Sequence, residues 1–250
     1  TTTVLNVNVA NLVVTPTITD NTNCAPSYNG AINLAVSGSV GVLTYAWTSV
    51  GGFTSSSQNI SNLAPDNYSL TVTDPVSGCV VTYSGLIVND NPPTISISLT
   101  ASTDNDKCVA PFDGSLTIST SGSVGSPSFS WAGTGGYTSS SQNIANLNSG
   151  TYTVTVTDPT SGCSANQPFT VNDITPTIIP STNPTDNTNC VAPYNGSITS
   201  SVSGGGPGYT YQWSGPSAFT ATTQNISALA AGSYDLTVTD VVTGCTGTLV

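Results

Sequence analysis

The sequence contains no histidine, glutamate, arginine or methionine, and Lys107 is its single basic residue. General acid–base catalysis draws on His, Glu, Lys or Tyr with tuned pKa values, and covalent catalysis needs a base beside the nucleophile. A chain whose carboxylates are 12 aspartates has almost none of that equipment, so no enzyme is expected. One lysine cannot line a phosphate backbone, which excludes nucleic acid as a partner. It also excludes a Lys–Asn isopeptide cross-link from at least two of the three repeats described below. No apolar run approaches the roughly 20 residues that span a bilayer, so no direct membrane insertion is expected. The net charge of −11 would be repelled by an anionic membrane surface. No signal peptide is visible in this stretch of sequence.

What is present is Thr, Ser, Asn, Gly and Val in abundance, and six cysteines that reveal an internal repeat. Cys24 and Cys79, Cys108 and Cys163, and Cys190 and Cys245 are each 55 residues apart, and the first members of the pairs are 84 and 82 residues apart. Trp47, Trp131 and Trp213 each follow the first cysteine by 23 residues, and Tyr68, Tyr152 and Tyr234 follow it by 44. Of the 18 aromatic residues, 15 occupy five recurring positions, which makes them parts of a repeated core and not of one unique pocket. A period above 80 residues is long for a solenoid, whose units cannot bury their own apolar face, and suits modules with small cores of their own.

Within the first repeat, Ala31–Val36 alternates apolar and small or polar residues, Tyr45 and Trp47 share one strand face, and Tyr68, Leu70 and Val72 alternate with polar residues. Asp74-Pro75-Val76-Ser77-Gly78 reads as a turn. Six or seven short strands with regular turn signals, and no 3.6-residue apolar period, predict an all-β chain: a tandem array of three immunoglobulin-like (PKD-like) antiparallel β-sandwich domains with essentially no helix. The expected modules are residues 15–91, 92–174 and 175–250, the last without its final strand. Residues 1–14 form a Val- and Leu-rich strand segment, read as the end of a preceding repeat or as a strand donated to a neighbouring subunit.

The cysteines do not sit where an antibody domain has them, because the first precedes the second strand and the second opens the last strand. A bridge within each module, near one pole, is expected: Cys24–Cys79, Cys108–Cys163 and Cys190–Cys245. Closing such a loop is worth about 4 kcal/mol in the chain-entropy picture, a large contribution for a small core. Each module would then be an autonomous clasped sandwich, strung as beads on a rod, and paired cysteines place it in an oxidising compartment. Zinc is disfavoured by the lack of His and of any C-x-x-C pair.

The third repeat reads NGSITSSVSGGGPGYTYQWSG…TTQNISALAAGSYDLTVTDVVTGC. Its Gly196, Ile198, Tyr211, Trp213, Ile226, Leu229, Gly232, Tyr234, Asp240, Gly244 and Cys245 resemble the repeat of SprB-type gliding adhesins of Bacteroidetes. The other two repeats follow the pattern with small departures, such as Asn67 in place of the Gly before Tyr68 and Pro159 after Asp158. The resemblance implies export to the cell surface and a place in long extracellular filaments that bind a surface or carry the cell over it. The partners it implies are further copies of the same repeat, with surface polysaccharide as a possible ligand. A carbohydrate-binding array and an accessory region of a larger secreted enzyme are the alternatives.

Three sets of residues are candidates for binding. Asp20, Asp104 and Asp186 lie four residues before the first cysteine, and Asp74, Asp158 and Asp240 lie 50 after it. With Asp90 and Asp173 in the Asn-Asp linkers after Val88 and Val171, they are candidate Ca²⁺ ligands, set against simple turn capping and a Pro-stiffened hinge. Phe53, Tyr137 and Phe219, in a Gly/Ser-rich stretch, are candidates for stacking on sugar rings, set against packing on the sandwich edge. Asn59, Asn67, Asn195 and Asn225 head N-x-S/T sequons.

Overall fold

The computed structural model describes residues 11–250. It is all-β, with seven strands per repeat and two 3₁₀ turns at Thr134–Gly136 and Pro216–Ala218. The first repeat runs β1 (Val13–Thr19), β2 (Gly30–Ser37), β3 (Thr44–Ser49), β4 (Thr54–Ser55), β5 (Ile60–Leu63), β6 (Asp66–Thr73) and β7 (Val80–Val88). The second runs β8 (Ser96–Thr103), β9 (Gly114–Ser121), β10 (Ser128–Gly133), β11 (Tyr137–Ser139), β12 (Ile144–Leu147), β13 (Gly150–Thr157) and β14 (Ser164–Val171). The third runs β15 (Ile179–Thr185), β16 (Gly196–Ser203), β17 (Tyr209–Gly215), β18 (Phe219–Ala221), β19 (Ile226–Leu229), β20 (Asp235–Asp240) and β21 (Thr246–Leu249).

Each repeat builds one three-stranded and one four-stranded antiparallel sheet. In the first, the orders are β1-β2-β5 and β4-β3-β6-β7, and both other repeats reproduce them. This is the A-B-E and C-F-G division of an immunoglobulin-type sandwich, with a short extra edge strand beside C. Alternation explains the packing. Along β6, Tyr68, Leu70 and Val72 are buried while the residues between them are not, so a period of two sends every second side chain inward. Ile32 and Leu34 from one sheet meet Trp47, Leu70 and Val72 from the other in a single core. In the third repeat Trp213, Ile226, Leu229, Leu236 and Val238 form the same core.

The polar tips of the core aromatics are satisfied locally. The indole N–H of Trp47, Trp131 and Trp213 donates to the carbonyl ten residues on, at 2.8, 2.9 and 3.0 Å. The hydroxyl of Tyr68, Tyr152 and Tyr234 donates to the carbonyl four residues back, at 2.9, 2.8 and 3.0 Å. These bonds allow large amphipathic rings to be buried without an orphaned donor. A recurring Gln-Asn pair works similarly. Asn59 accepts from the Leu34 N–H and Gln58 donates to the Leu34 carbonyl, tying the edge of β2, and the pair recurs at Ile118 and Ser200.

The chain divides into two compact units. One holds the residues up to Ile97 with Thr120–Ser128 and Thr155–Ala165, and the other holds Ser98–Ser119, Phe129–Val154 and Asn166–Val250. The first unit thus contains the first sandwich and the second repeat's Asp158–Cys163 turn. The second contains the third sandwich and the linker that leads into it.

Two expectations about the ends need correction. Val13 and Val14 belong to the first sandwich, since they pair with Ser37 and Val36, and Leu12 and Val14 are in its core. Residues 1–10, and with them the strand-donation alternative for the N-terminal segment, lie outside the described residues. The third repeat does form a seventh strand, β21, but it has four residues where β7 has nine.

Candidate functional site

The residues that stand out functionally lie where one repeat passes into the next. In the first unit the chain leaves β7 at Val88 and lies against the loop that follows β1. The Asn21 N–H donates to the Asn89 carbonyl at 3.0 Å, and the Asn91 N–H donates to the Asn21 carbonyl at 2.8 Å, forming a parallel bridge. Asp20 accepts from the Asn89 N–H at 2.9 Å and from the side-chain amides of Asn89 and Asn91 at 3.0 and 3.1 Å. The Asn21 side-chain amide reaches Asp90 at 2.9 Å, and its oxygen accepts from the Asn29 N–H at 3.0 Å. Asn21 is fully buried with every polar group paired.

The second unit repeats this clamp between Asn105 and the linker 172–174. Asn105 N–H donates to the Asn172 carbonyl at 3.0 Å, Ile174 N–H returns to Asn105 at 2.9 Å, and Asp104 accepts from the backbone and side-chain amides of Asn172. Those donors hold the Asp104 carboxyl below its usual range, the backbone N–H of Asn172 first among them. The Thr175 N–H similarly lowers Asp173.

The cysteines sit beside these clamps, and they join differently from the sequence-based expectation. Cys24 is bonded to Cys163 and Cys108 to Cys245, each pair with Cα atoms 5.0 Å apart. The first cysteine of one repeat therefore joins the second cysteine of the next repeat, and the pairings Cys24–Cys79, Cys108–Cys163 and Cys190–Cys245 are overturned. Backbone contacts accompany each bond: Cys24 N–H donates to Ser161 and Cys108 N–H to Thr243, both at 2.9 Å. The physical reason is the position of the two cysteines within a repeat. One lies in the loop that clamps the outgoing linker, and the linker delivers the following repeat's Asp-to-Cys turn to that loop. The individually clasped bead is accordingly set aside. Sulfur–sulfur bonds between repeats are consistent with an oxidising compartment, as bonds within a repeat would be.

The turn itself is built by its aspartate. Asp74 accepts from the backbone N–H of Val40, Val76 and Ser77 at 2.8, 3.0 and 3.4 Å. Asp158 takes Val124, Gly125, Thr160 and the Ser161 hydroxyl, and Asp240 takes Gly206, Val242 and Thr243. These donors favour the charged carboxylate. The Val40 N–H is the largest influence on Asp74, whose pKa falls to about 2, and Asp158 and Asp240 are also lowered, by Val124 and Gly206 first. The glycine before the second cysteine has φ of +74°, +72° and +71° in the three repeats, the left-handed region in which a side chain is strained.

Asp20 and Asp74 share no hydrogen-bond partner, and neither do Asp104 and Asp158. Among the described residues, no group of three or more His, Cys, Asp or Glu side chains comes together to hold a metal ion. Asp186 and its neighbours form the third copy of the clamp loop, whose Asn187 bonds Asn189 and Asn195 as Asn21 bonds Asn23 and Asn29.

Phe53, Tyr137 and Phe219 are half-buried and meet Tyr68, Tyr152 and Tyr234 edge to face, with centroids 5.6, 5.4 and 5.3 Å apart. Open pockets of about 490 and about 290 Å³ lie beside Phe53 and Tyr137. Lys107 pairs with Asp106 at 2.6 Å and Asp113 at 3.5 Å inside the second clamp loop. Of the sequon asparagines, Asn59, Asn195 and Asn225 use their side chains in the fold. Sequence reasoning counted Asn21 only as an oxygen near the Asp20/Asp74 pole and did not single out Asn105; the clamp role of both was missed. The signal was available, since an asparagine stands three residues before the first cysteine in every repeat.

The SprB repeat family model matches residues 182–218, which overlap the start of the third-repeat motif. No curated protein matches the chain. Among solved structures, the three N-terminal domains of the bacteriophage RB49 highly immunogenic outer capsid protein (Hoc) align over 95% of this chain and 96% of that one, at 12% identity and a TM-score of 0.41. Among the described residues, no helix is long and apolar enough to cross a membrane.

Proposed function

We propose that the chain is an extracellular segment of a cell-surface adhesin filament, a repeat-built stalk that carries tension in surface attachment or gliding. One observation carries this reading: the disulfides run from one repeat to the next, as Cys24–Cys163 and Cys108–Cys245. A bond within a module would protect that module alone. A bond to the next repeat makes a second covalent path beside the main chain. The SprB repeat match at residues 182–218 supports the surface-adhesin class, and the recurrence of each aspartate and aromatic in a structural role supports a non-enzymatic part.

Pulling a single molecule by its ends tests the proposal. With both disulfides closed, the shortest covalent path uses the residues before Cys24, the 55-residue step between Cys163 and Cys108, and those after Cys245. At about 3.5 Å per residue, that path limits extension to about 300 Å, against about 870 Å for the reduced chain. In the Cys79→Ser/Cys190→Ser variant the oxidised limit should stay at about 300 Å, whereas within-repeat bonding would leave about 680 Å, and that longer extension would defeat the reading.

The pockets beside Phe53 and Tyr137 favour a second reading, an array of carbohydrate-binding modules. Its test is retention on a polysaccharide array, lost in the Phe53→Ala and Tyr137→Ala variants. No retention by the parent chain would reject it.

A further inference from the structure

Five aromatic positions recur in the repeats, and the core uses four of them. Tyr45, Trp47, Phe53 and Tyr68 pack in or against the first core, and Tyr211, Trp213, Phe219 and Tyr234 do so in the third. The fifth position, four residues after the first cysteine, holds Tyr28, Phe112 and Tyr194. Neither Tyr28 nor Tyr194 packs against its core. Both stand on the clamp loop, Tyr28 half-buried and Tyr194 37% exposed. In the first two repeats this ring lines the same cleft as the Phe53 or Tyr137 ring. The two clefts, of about 490 and about 290 Å³, are built from equivalent residues: Tyr28, Phe53, Asn62 and Leu63 in one, Phe112, Tyr137, Asn146 and Leu147 in the other. Asn62 and Asn146 are each the extra residue of a β-bulge, with φ of +56° and +58°, a strained conformation that re-aims a side chain. Both side chains are exposed, and among the described residues nothing hydrogen-bonds them. The loop that carries Tyr28 is held on both sides of it. The Ser27 N–H donates to the Cys24 carbonyl at 3.3 Å, and the Asn29 side chain pairs with Thr22 at 2.8 and 2.9 Å.

We infer that each of these clefts binds a stretch of a neutral polysaccharide, with Tyr28 and Phe53, or Phe112 and Tyr137, as its paired aromatic platforms. A pyranose ring has an apolar face of C–H groups, whose positive edge suits the negative face of an aromatic ring. It also has a rim of hydroxyls, which the Asn62 or Asn146 amide can both donate to and accept from. Aromatic lining with a few placed polar groups is the common make-up of a small-molecule site. No basic residue lines either cleft, and the Asp66 carboxylate lines the first, so an acidic polysaccharide is repelled. On the carbohydrate-binding reading, on which this rests, Phe53 and Tyr137 act alone; here Tyr28 and Phe112 share the sugar face, and the sugar is uncharged.

Affinity electrophoresis of the 250-residue chain tests this, in gels containing hydroxyethylcellulose, galactomannan or arabinoxylan, with alginate as the acidic control. The expected result is retardation by at least one neutral polymer and none by alginate. The Tyr28→Ala/Phe112→Ala variant should then bind about tenfold more weakly or worse, because an aromatic contact at the centre of a site carries much of its affinity. Unchanged retardation of this variant would overturn the clamp-loop platforms; if retardation is still lost in Phe53→Ala/Tyr137→Ala, the carbohydrate-binding reading stands. Retardation by alginate would overturn the neutral class, and no retardation by any polymer would reject the inference and that reading together. A second measurement needs no variant to fold. Cellohexaose, mannohexaose or xylohexaose, whichever matches the retained polymer, is added to the unaltered chain. It should shift the amide NMR signals of Tyr28, Gly51 and Asn62 and leave that of Thr71, on the outer face of β6, in place. Unmoved signals at Tyr28 would overturn the inference.

Discussion

Cys108 and Cys245 lie 137 residues apart in sequence and belong to different repeats, yet they are bonded, and the Cys108 N–H also donates to Thr243 two residues before its partner. The sulfur bond therefore closes a contact that the backbone already makes. Treated alone, closing a loop of this length is worth about 5 kcal/mol in the chain-entropy picture, somewhat more than a 55-residue loop.

The cross-repeat pairing is open to direct test. Non-reducing peptide mapping is expected to recover Cys24 with Cys163 and Cys108 with Cys245. The Cys163→Ser variant should lose about 2–5 kcal/mol of stability in urea unfolding and expose the Cys24 thiol to labelling. Recovery of Cys108 bonded to Cys163 would contradict the structure.

The buried turn aspartates set the acid limb of stability. Asp74, Asp158 and Asp240 have folded-state pKa values below the ordinary carboxylate value of 3.8, and that of Asp74 is about 2. A group depressed in this way contributes stability that is complete above its unfolded pKa and is lost as pH falls through the folded one. Melting temperature should hold down to about pH 4 and then fall between about pH 4 and pH 2. Asp240→Asn should lower the plateau and flatten that limb, because a neutral amide cannot offer both oxygens to Gly206, Val242 and Thr243. A limb unchanged by the substitution would remove Asp240 from this role.

The clamp asparagines should differ by repeat. Asn105 bonds the Lys107 carbonyl and N–H and the Asp113 N–H from a buried position, so Asn105→Ala leaves those groups without water and should cost about 1–3 kcal/mol. Asn187→Ala removes the equivalent bonds where solvent can replace them and should cost less in the same urea titration. Equal losses would mean that burial beneath the linker does not matter.

Chelation separates calcium ligation from turn capping. Because the Asp74, Asp158 and Asp240 oxygens are taken up by N–H and O–H donors, excess EDTA is expected to leave the melting temperature unchanged. A fall restored by Ca²⁺ would reassign those carboxylates as metal ligands.

Local chemistry accounts for what was legible beforehand. Alternation in Tyr68-Ser69-Leu70-Thr71-Val72 specifies a strand with one buried face, and the Trp47, Trp131 and Trp213 spacing specifies three copies of one core. Both are short-range patterns set by a period of two and by turn residues, and the strands, the sandwich class and the Asp74-type turns all follow from them. The recurrence of Asn21, Asn105 and Asn187 three residues before the first cysteine marks the position, but not that a linker folds over it.

The sequence alone therefore determined three like sandwiches and their cores, because each depends on neighbours within a few residues or on a repeated spacing. It could not choose among partners for six cysteines, since equal 55-residue spacings are compatible with bonds inside a repeat or between repeats. Only the tertiary structure decided that, by lying the Val88–Asn91 linker along Asp20 and Asn21 and so carrying the turn of the next repeat to Cys24.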